Sequence, residues 1–260
     1  MFQLKRILFP VDFSDRSRGA APYAEEFAAH FDAELILLHV VQPPDYNTPI
    51  SDSHRVQSEG FDKFFGHRLH RLHVKRLIEH GDPAAKIVEL AGIHQADLII
   101  MPTQGMGVYR RLIIGSISAK VLHDADCPVW SSVHTEKAPP HEKIRYHHIC
   151  CAVDLRPQNA KVLEWACRFA KAYRAKLSLV HAGERAAAEQ ILAGLQKEVG
   201  SNAEIHIQDG EPAEVVANLA DELKADLLVI GRGVESGLLG RLVATAYSII
   251  RQSPCPVVSV

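Results

Sequence analysis

The sequence lacks the features of a secreted, membrane-spanning or highly charged protein. It has five cysteines in 260 residues and no Cys-X-X-Cys pair, which disfavours a disulfide framework and indicates a reducing compartment. No apolar run approaches the roughly 20 residues of a membrane span, since ELILLHVV has only the length of a strand. A formal charge of −2 provides no attraction for nucleic acid or anionic lipid. We expect a cytoplasmic protein without nucleic-acid or membrane partners.

What the sequence does contain is an internal repeat. ILFPVDFSDRS returns as ICCAVDLRPQN and AELILLHV returns as AKLSLVHA, each 142 residues later. GDPAAKIVELA, ADLIIM and CPVW return as GEPAEVVANLA, ADLLVI and CPVV, now 129, 129 and 128 residues later. Five matching segments in one order predict two homologous domains, residues 1–134 and 144–260, joined by the polar stretch TEKAPPHEK.

Within each copy, short apolar strands alternate with amphipathic helices. Strands are predicted in the first copy at RILFPV, ELILLHV, RLHVKRLI, DLIIM and PVWSSV. A helix between the first two has one apolar face, formed by Ala20, Ala24, Phe27, Ala28 and Phe31. This alternation predicts βαβ units and a parallel sheet with helices on both faces. In such sheets ligands bind beyond the C-terminal strand ends, where the strand order reverses.

The stretch MPTQGMGVYRRLIIGS follows a predicted strand and precedes a predicted helix. Gly105, Gly115 and Ser116 offer backbone N–H groups without bulky side chains, as a phosphate site at a helix N-terminus requires. Pro102 removes one N–H group where the strand opens into the loop. Asp12 ends another strand, where its carboxylate can accept hydrogen bonds from a ligand. It can instead serve as a turn or helix-capping residue.

The segments PVDFS, LLHVV, GDPA, IVELA, ADLIIM and GSISAKVLHDADCPV resemble the universal stress protein family in its tandem form. The resemblance covers nearly the whole chain and implies two doubly wound α/β domains. Each would hold a five-stranded parallel sheet of order 3-2-1-4-5, whose last strand serves pairing between domains. Some family members bind ATP or AMP and others do not. The family's nucleotide motif is matched from Gly105 to Gly115 and Ser116, but its first glycine is Pro102 here.

The resemblance also implies a set of ligand contacts in the first domain. Asp12 would meet the adenosine end, Val40 and Met101 would flank the base, and phosphate would face the start of the helix. The implied residues for ATP or AMP are Pro10, Val11, Asp12, Val40, Met101, Gly105, Gly115, Ser116, Ile117 and Ser118. Arg110 or Arg111 could add positive charge. No metal is expected beyond a magnesium ion carried by the nucleotide.

The second copy departs from this motif. IGRGVESGLLGRLVATAYS keeps Gly231 and Gly233, but Val243 and Ala244 replace the Gly–Ser pair. Its loop is also one residue shorter than the loop of the first copy. Because valine crowds the backbone approach that phosphate needs, we expect this domain to have lost nucleotide binding and to act as a structural and pairing partner.

Other histidine-rich segments have simpler interpretations than a ligand site. In HHICC, strand alternation places His148 and Cys150 on one face and the other three side chains on the opposite face, which does not suit a four-ligand metal site. HRLHRLHVKR is expected to be a solvated helix-to-strand junction rather than a phosphate or nucleic-acid site. His39 and His181 end equivalent strands and can be either packed residues or ligand contacts.

The sequence therefore predicts a tandem universal stress protein that binds an adenine nucleotide in its first domain and acts in the stress response. No Ser–His–Asp or paired-carboxylate pattern is evident, so an enzyme is not expected, although the resemblance leaves room for slow ATP hydrolysis. The alternative is an interaction module that binds protein partners or an apolar ligand, which Pro102 favours. The edge strands are expected to pair the two domains, and they also allow a homodimer.

Overall fold

The computed structural model describes residues 2–41, 59–66, 69–103, 114–135, 138–155, 159–232 and 244–260. The chain divides into two compact units, of which the first is Gln3–Ile144. The second unit contains Met1–Phe2 and Arg145–Val260. No helix within the described residues is both long enough and apolar enough to cross a membrane.

The first unit alternates strands and helices along the chain. Its elements are β1 (Arg6–Pro10), α1 (Asp15–Phe31), β2 (Glu34–Val41), α2 (59–65), β3 (His73–His80), α3 (Pro83–Ile93), β4 (Leu98–Ile100), α4 (Ser116–Asp124) and β5 (Val129–Ser131). The strands pair in parallel in the order β3-β2-β1-β4-β5. The chain order reverses between β1 and β4, so the C-terminal ends of these two strands lie side by side at the place where such sheets bind ligands.

Burial follows the predicted pattern in the first unit. The whole predicted face of α1 is buried: Ala20, Ala24, Phe27, Ala28 and Phe31. Small alanines on this stripe let the helix lie close to the sheet, and the two phenylalanines supply most of its buried apolar area. The central strands are buried on both faces, as expected for a parallel sheet covered by helices.

The second unit repeats this architecture. Its elements are β6 (His148–Ala152), α5 (Asn159–Tyr173), β7 (Lys176–Ala182), α6 (Arg185–Val199), β8 (Glu204–Gln208), α7 (Pro212–Glu222), β9 (Leu227–Ile230), α8 (Ala244–Gln252) and β10 (Val257–Ser259). Its parallel order is β8-β7-β6-β9-β10. Both units are thus α/β, and each has the order 3-2-1-4-5 that the family resemblance implied.

The segment after β5 packs along α1 of the first unit. Thr135 is buried, and its carbonyl oxygen lies where a Cβ atom on Gly19 would be only 2.0 Å away. Further along, Nδ1 of His141 lies 3.2 Å from the buried carboxylate of Glu25. The described part of the predicted linker is therefore held to the first unit by a close backbone contact and by a histidine–carboxylate contact.

Candidate functional site

A cavity of about 410 Å³ lies at the C-terminal edge of the first sheet. It is bounded by the ends of β1, β2 and β4 and by the first turns of α1, α3 and α4. The volume falls within the roughly 300–1,000 Å³ of small-molecule sites. Its place beside the reversal of strand order is the one at which open α/β sheets bind ligands.

The cavity brings together most of the residues that the resemblance implied. Seven of them line it: Pro10, Val11, Asp12, Val40, Met101, Ile117 and Ser118. Gly115 and Ser116 stand at the start of α4, next to two of the lining residues. Gly105, Arg110 and Arg111 lie outside the described residues. Segments far apart in the chain thus meet around one space.

The structure also adds lining residues that the sequence analysis missed. Ser17 comes from α1, Leu38 and Val41 come from β2, and Pro83 and Ile87 come from α3. The α3 residues belong to the repeated GDPA segment, and a helix that begins after β3 must start at this same edge of the sheet. That repeated segment was the signal that could have identified them.

Asp12 is fixed by hydroxyl groups at the start of α1. Its Oδ1 accepts hydrogen bonds from the Ser14 N–H (3.0 Å), the Ser14 hydroxyl (2.6 Å) and the Ser17 hydroxyl (2.5 Å). Ser14, not Asp12, is the N-cap, because its Oγ accepts the Ser17 N–H. Asp12 therefore forms a turn ahead of the helix. Its Oδ2 makes no hydrogen bond to a described residue and so remains an acceptor on a residue that lines the cavity.

The start of α4 is a second polar feature of the cavity. Its N-cap is Gly115, which has no side chain and makes no capping hydrogen bond. The first turn of a helix leaves its N–H groups without intrahelical partners, and these groups together with the helix dipole attract anions. Side chains cap α1 and α3 instead, through Ser14 and Asp82. An anion at the start of α4 would therefore meet no competing cap.

Hydrogen bonds close the loop between β4 and α4 at its base. The Gly115 N–H donates to the Thr103 carbonyl at 2.7 Å, and the Thr103 N–H donates to the Ser132 carbonyl at 3.2 Å. The hydroxyl of Ser118 donates to the Pro102 carbonyl at 3.1 Å. Because the Ser118 hydroxyl already donates its hydrogen to the loop, the backbone N–H is the donor that Ser118 has left for phosphate.

His39 connects the cavity to the end of β1. Its Nδ1 lies 2.6 Å from the Val11 carbonyl oxygen, and because a carbonyl can only accept, the hydrogen must be on Nδ1. His181 makes the equivalent bond to Val153 at 2.8 Å in the second unit. The repeated bond gives both histidines a structural role in joining neighbouring strand ends. His39 in addition borders the cavity.

An aromatic cluster supports the Asp12 turn from the outside. Phe13 has φ of 59°, an uncommon conformation for a bulky residue. Its ring lies 4.5 Å from that of His39 and 5.4 and 5.7 Å from those of Phe61 and Phe64 in α2, measured between centroids. A Cβ on Gly60 would lie 3.0 Å from the Phe13 ring. This packing holds Phe13 in place and fixes the turn that carries Asp12.

The cavity has few ionisable groups in its described lining. Within its described lining, Asp12 is the sole ionisable group apart from His39, and no lysine or arginine is present. Most of the remaining wall is aliphatic, with Leu38, Val40 and Ile87 as examples. The cavity therefore combines a broad apolar wall with one carboxylate and one uncapped helix start.

The second unit differs at the corresponding positions. Asp154 is exposed, and the Asn159 side-chain amide donates to its carboxylate and to its carbonyl oxygen. Gly231 replaces Pro102, and a Cβ there would lie 3.2 Å from Val162. The next residue, Arg232, is buried. Val243, on which the predicted loss of the phosphate site rests, lies outside the described residues.

The HHICC segment enters the core of the second unit with Ile149, Cys150 and Cys151, whereas His147 is exposed. His148 has Nδ1 2.8 Å from the Leu223 carbonyl and Nε2 2.9 Å from the Ser178 hydroxyl. Burial raises the pKa of the Cys150 thiol to about 12 and that of Cys151 well above its ordinary value. No group of three or more potential metal ligands occurs among the described residues. These bonds give His148 a structural role.

Comparison with known proteins identifies a family and a fold. The model of the universal stress protein family matches residues 3–131, 145–193 and 182–260. A universal stress protein of Methanocaldococcus jannaschii is 35% identical over 137 residues, which cover 48% of this chain and 79% of that protein. A universal stress protein of Thermus aquaticus is 35% identical over 131 residues, which cover 48% of this chain and 96% of that protein. The crystal structure of a universal stress protein from Archaeoglobus fulgidus matches 99% of this chain and 98% of its own, with a TM-score of 0.80 and 22% identity.

Proposed function

The chain belongs to the universal stress protein family, and we propose that its first unit binds an adenine nucleotide, ATP or AMP, and acts in the stress response. The observation that carries the proposal is the convergence of Asp12, the apolar wall and the start of α4 on one cavity. These three features have the chemistry of the three parts of a nucleotide. Each part can be assigned to its own side of the cavity.

The apolar wall suits the flat base, which would lie between Val40 and Met101. The carboxylate of Asp12 suits the ribose, because its oxygen Oδ2 accepts hydrogen bonds and a ribose hydroxyl donates them. The backbone N–H groups of Ser116, Ile117 and Ser118 suit phosphate at the uncapped start of α4. A magnesium ion would arrive with the nucleotide.

We propose binding rather than turnover. The described lining holds one carboxylate, and three donors already occupy its Oδ1. The imidazole of His39 donates from Nδ1 to a backbone carbonyl. A general base needs a partner and a positioned nucleophile, and the described lining offers no second carboxylate beside Asp12, with His39 as its one other ionisable side chain.

Isothermal titration of the whole chain with ATP and with AMP tests the proposal. We expect a saturable signal with one site per chain. Asp12→Ala should weaken binding at least about tenfold, the equivalent of one hydrogen bond to a charged group. Asp154→Ala is the matched control in the second unit and should leave binding unchanged. Absence of heat and of competition at millimolar nucleotide would contradict the proposal.

A second candidate function is the binding of an apolar ligand or a protein partner. Two observations favour this second function: the aliphatic wall of the cavity, and the hydrogen bond that the Ser118 hydroxyl donates to the Pro102 carbonyl. Displacement of the fluorescent apolar probe anilinonaphthalene sulfonate separates the two candidates. If AMP displaces the bound probe, the nucleotide occupies the cavity. If the probe binds and AMP never displaces it, the cavity serves an apolar ligand.

A further inference from the structure

Ser17 is buried to all but 2% of its surface and lies at the inner end of the Asp12 turn. Its hydroxyl donates to Asp12 Oδ1 at 2.5 Å and accepts the Asp12 N–H at 3.4 Å. The Ser14 hydroxyl donates to the same Oδ1 and accepts the Ser17 N–H. The two serines and the aspartate thus form a closed ring of hydrogen bonds. Rotation of the carboxylate would break at least two of its bonds.

The hydrogen-bond ring uses one carboxylate oxygen of Asp12 and leaves the other without a bond to a described residue. Oδ1 is occupied by three donors from α1 and the turn before it. Oδ2 makes no hydrogen bond to a described residue, although Asp12 borders the cavity. A buried donor that orients a carboxylate can set which ligands that carboxylate accepts.

The second unit places a different donor at the matching position. Asn159 lies 142 residues after Ser17 and is also buried, with 4% of its surface exposed. Its amide group donates to the Asp154 carboxylate. Both copies therefore fix the aspartate at the strand end from positions that match in the repeat, although Asp154 is exposed and Asp12 lies at a cavity.

We propose that Ser17 is a positioning residue that holds Asp12 with Oδ2 directed to ribose hydroxyls, and so makes the site selective for ribonucleotides over their dideoxy analogues. The inference rests on the proposed function. Oδ2 has lone pairs for hydroxyl donors, and a ligand without them would leave this acceptor unsatisfied beside an apolar wall. Selectivity then depends on the orientation that Ser17 imposes.

The test compares AMP with 2′,3′-dideoxy-AMP by isothermal titration on the full chain. Wild type should prefer AMP by about tenfold, as expected for a hydrogen bond to a charged acceptor. Ser17→Ala should remove the preference, because it should lower the affinity for AMP about tenfold and leave the affinity for the dideoxy analogue unchanged. Ser17→Thr retains the hydroxyl and should restore the preference. Asn159→Ala, the matched control, should change neither affinity.

Circular dichroism and urea unfolding check that each variant is folded. Should Ser17→Ala not fold, Ser17→Cys removes the strong donor at nearly the same volume and should give the same loss of preference. An equal weakening of both ligands, or no change in either, would overturn the inference. Equal affinity of the wild type for AMP and for the dideoxy analogue would also overturn the inference, but it would leave the proposed function standing. Wild type that binds neither ligand overturns the proposed function and the inference with it.

Discussion

Gly115, the N-cap of α4, tests the phosphate end of the proposed nucleotide site. Its φ of −63° and ψ of 151° are open to any residue, so Gly115→Val should fold. The valine side chain would stand at the uncapped helix start and crowd an anion. We expect the dissociation constants of AMP and ATP to rise at least about tenfold, and that of adenosine to stay unchanged. Titration calorimetry with the three ligands measures this.

The control for this prediction is Gly92→Ala. Gly92 lies in α3 with no atom within 4 Å of an added Cβ, so nucleotide affinity should be unaffected. Equal loss of adenosine and AMP binding in Gly115→Val would contradict a phosphate site at α4. It would indicate instead that the substitution disturbs the whole cavity.

His148 makes the stability of the second unit depend on pH. Burial lowers its pKa, the Leu223 carbonyl and Asp226 raise it, and Lys176 and His206 lower it. The net shift is downward, so as pH falls below about 6.5 the unfolded chain takes up a proton before the folded unit does. The free energy of unfolding of the second unit is therefore unaffected by the titration of His148 above that pH, and it decreases as the pH falls toward the lowered pKa of His148.

Nuclear magnetic resonance titration of the His148 ring checks this directly. Its midpoint should lie below about 6.5, and urea unfolding of the second unit should show lower stability at pH 5.5 than at pH 7. His148→Asn removes the titrating group and should reduce that difference. A His148 midpoint above the ordinary value would reverse the expected dependence.

At the scale of elements, α1 meets the segment after β5 too closely to accept a side chain. A Cβ on Gly19 would lie 2.0 Å from the Thr135 backbone oxygen. Gly→Ala in a helix usually stabilises by about 0.5–1 kcal/mol. We expect Gly19→Ala to destabilise the first unit instead, by roughly 1–3 kcal/mol, because the backbone must shift. Urea unfolding measures the free energy.

Gly194→Ala provides the matched control in the second unit. Gly194 lies in α6, exposed, with nothing within 4 Å of an added Cβ. There we expect the ordinary gain of about 0.5–1 kcal/mol. If both substitutions stabilise, the contact between α1 and Thr135 is not as tight as the structure shows.

The elements themselves could be predicted because their signals are local. The strands at ELILLHV and DLIIM and the buried face of α1 follow from apolar periodicity, and the repeat predicted each element twice. The role of Ser17 and the contact of α3 with the cavity do not follow from periodicity, although the repeated GDPA segment marks where α3 begins. Their places depend on which helices start at the same edge of the sheet and on a hydrogen-bond ring, neither of which periodicity specifies.

The loop between β4 and α4 shows a different limit. Motif spacing identified Gly115 as the start of a helix, and the structure places it there. The resemblance implied that Ser118 faces phosphate without saying through which group, and the structure commits its hydroxyl to the Pro102 carbonyl. A motif gives the order of backbone groups along the chain, but the partner of a hydroxyl depends on how the two ends of the loop meet.

At the scale of the whole molecule, the chain holds two copies of one fold with different strand ends. The first has Asp12 at a cavity, with Oδ2 left as an acceptor. In the second, Asp154 is exposed and bound to Asn159, and Arg232 is buried beside Gly231. A ligand that binds one folded unit stabilises that unit by mass action. The two copies should therefore respond differently to nucleotide.

Hydrogen exchange with and without AMP tests this difference along the chain. At a concentration about 100 times the dissociation constant, a ligand stabilises the unit that binds it by about 2.7 kcal/mol. We expect slower exchange in β1, β2, β4 and α4 and no change in β6, β7 and β9, because the Asp12 acceptor and the Gly115 helix start both belong to the first unit. Titration should give one site per chain. Protection confined to the strands around Asp154 and Gly231 would show that the second copy is the one that binds nucleotide.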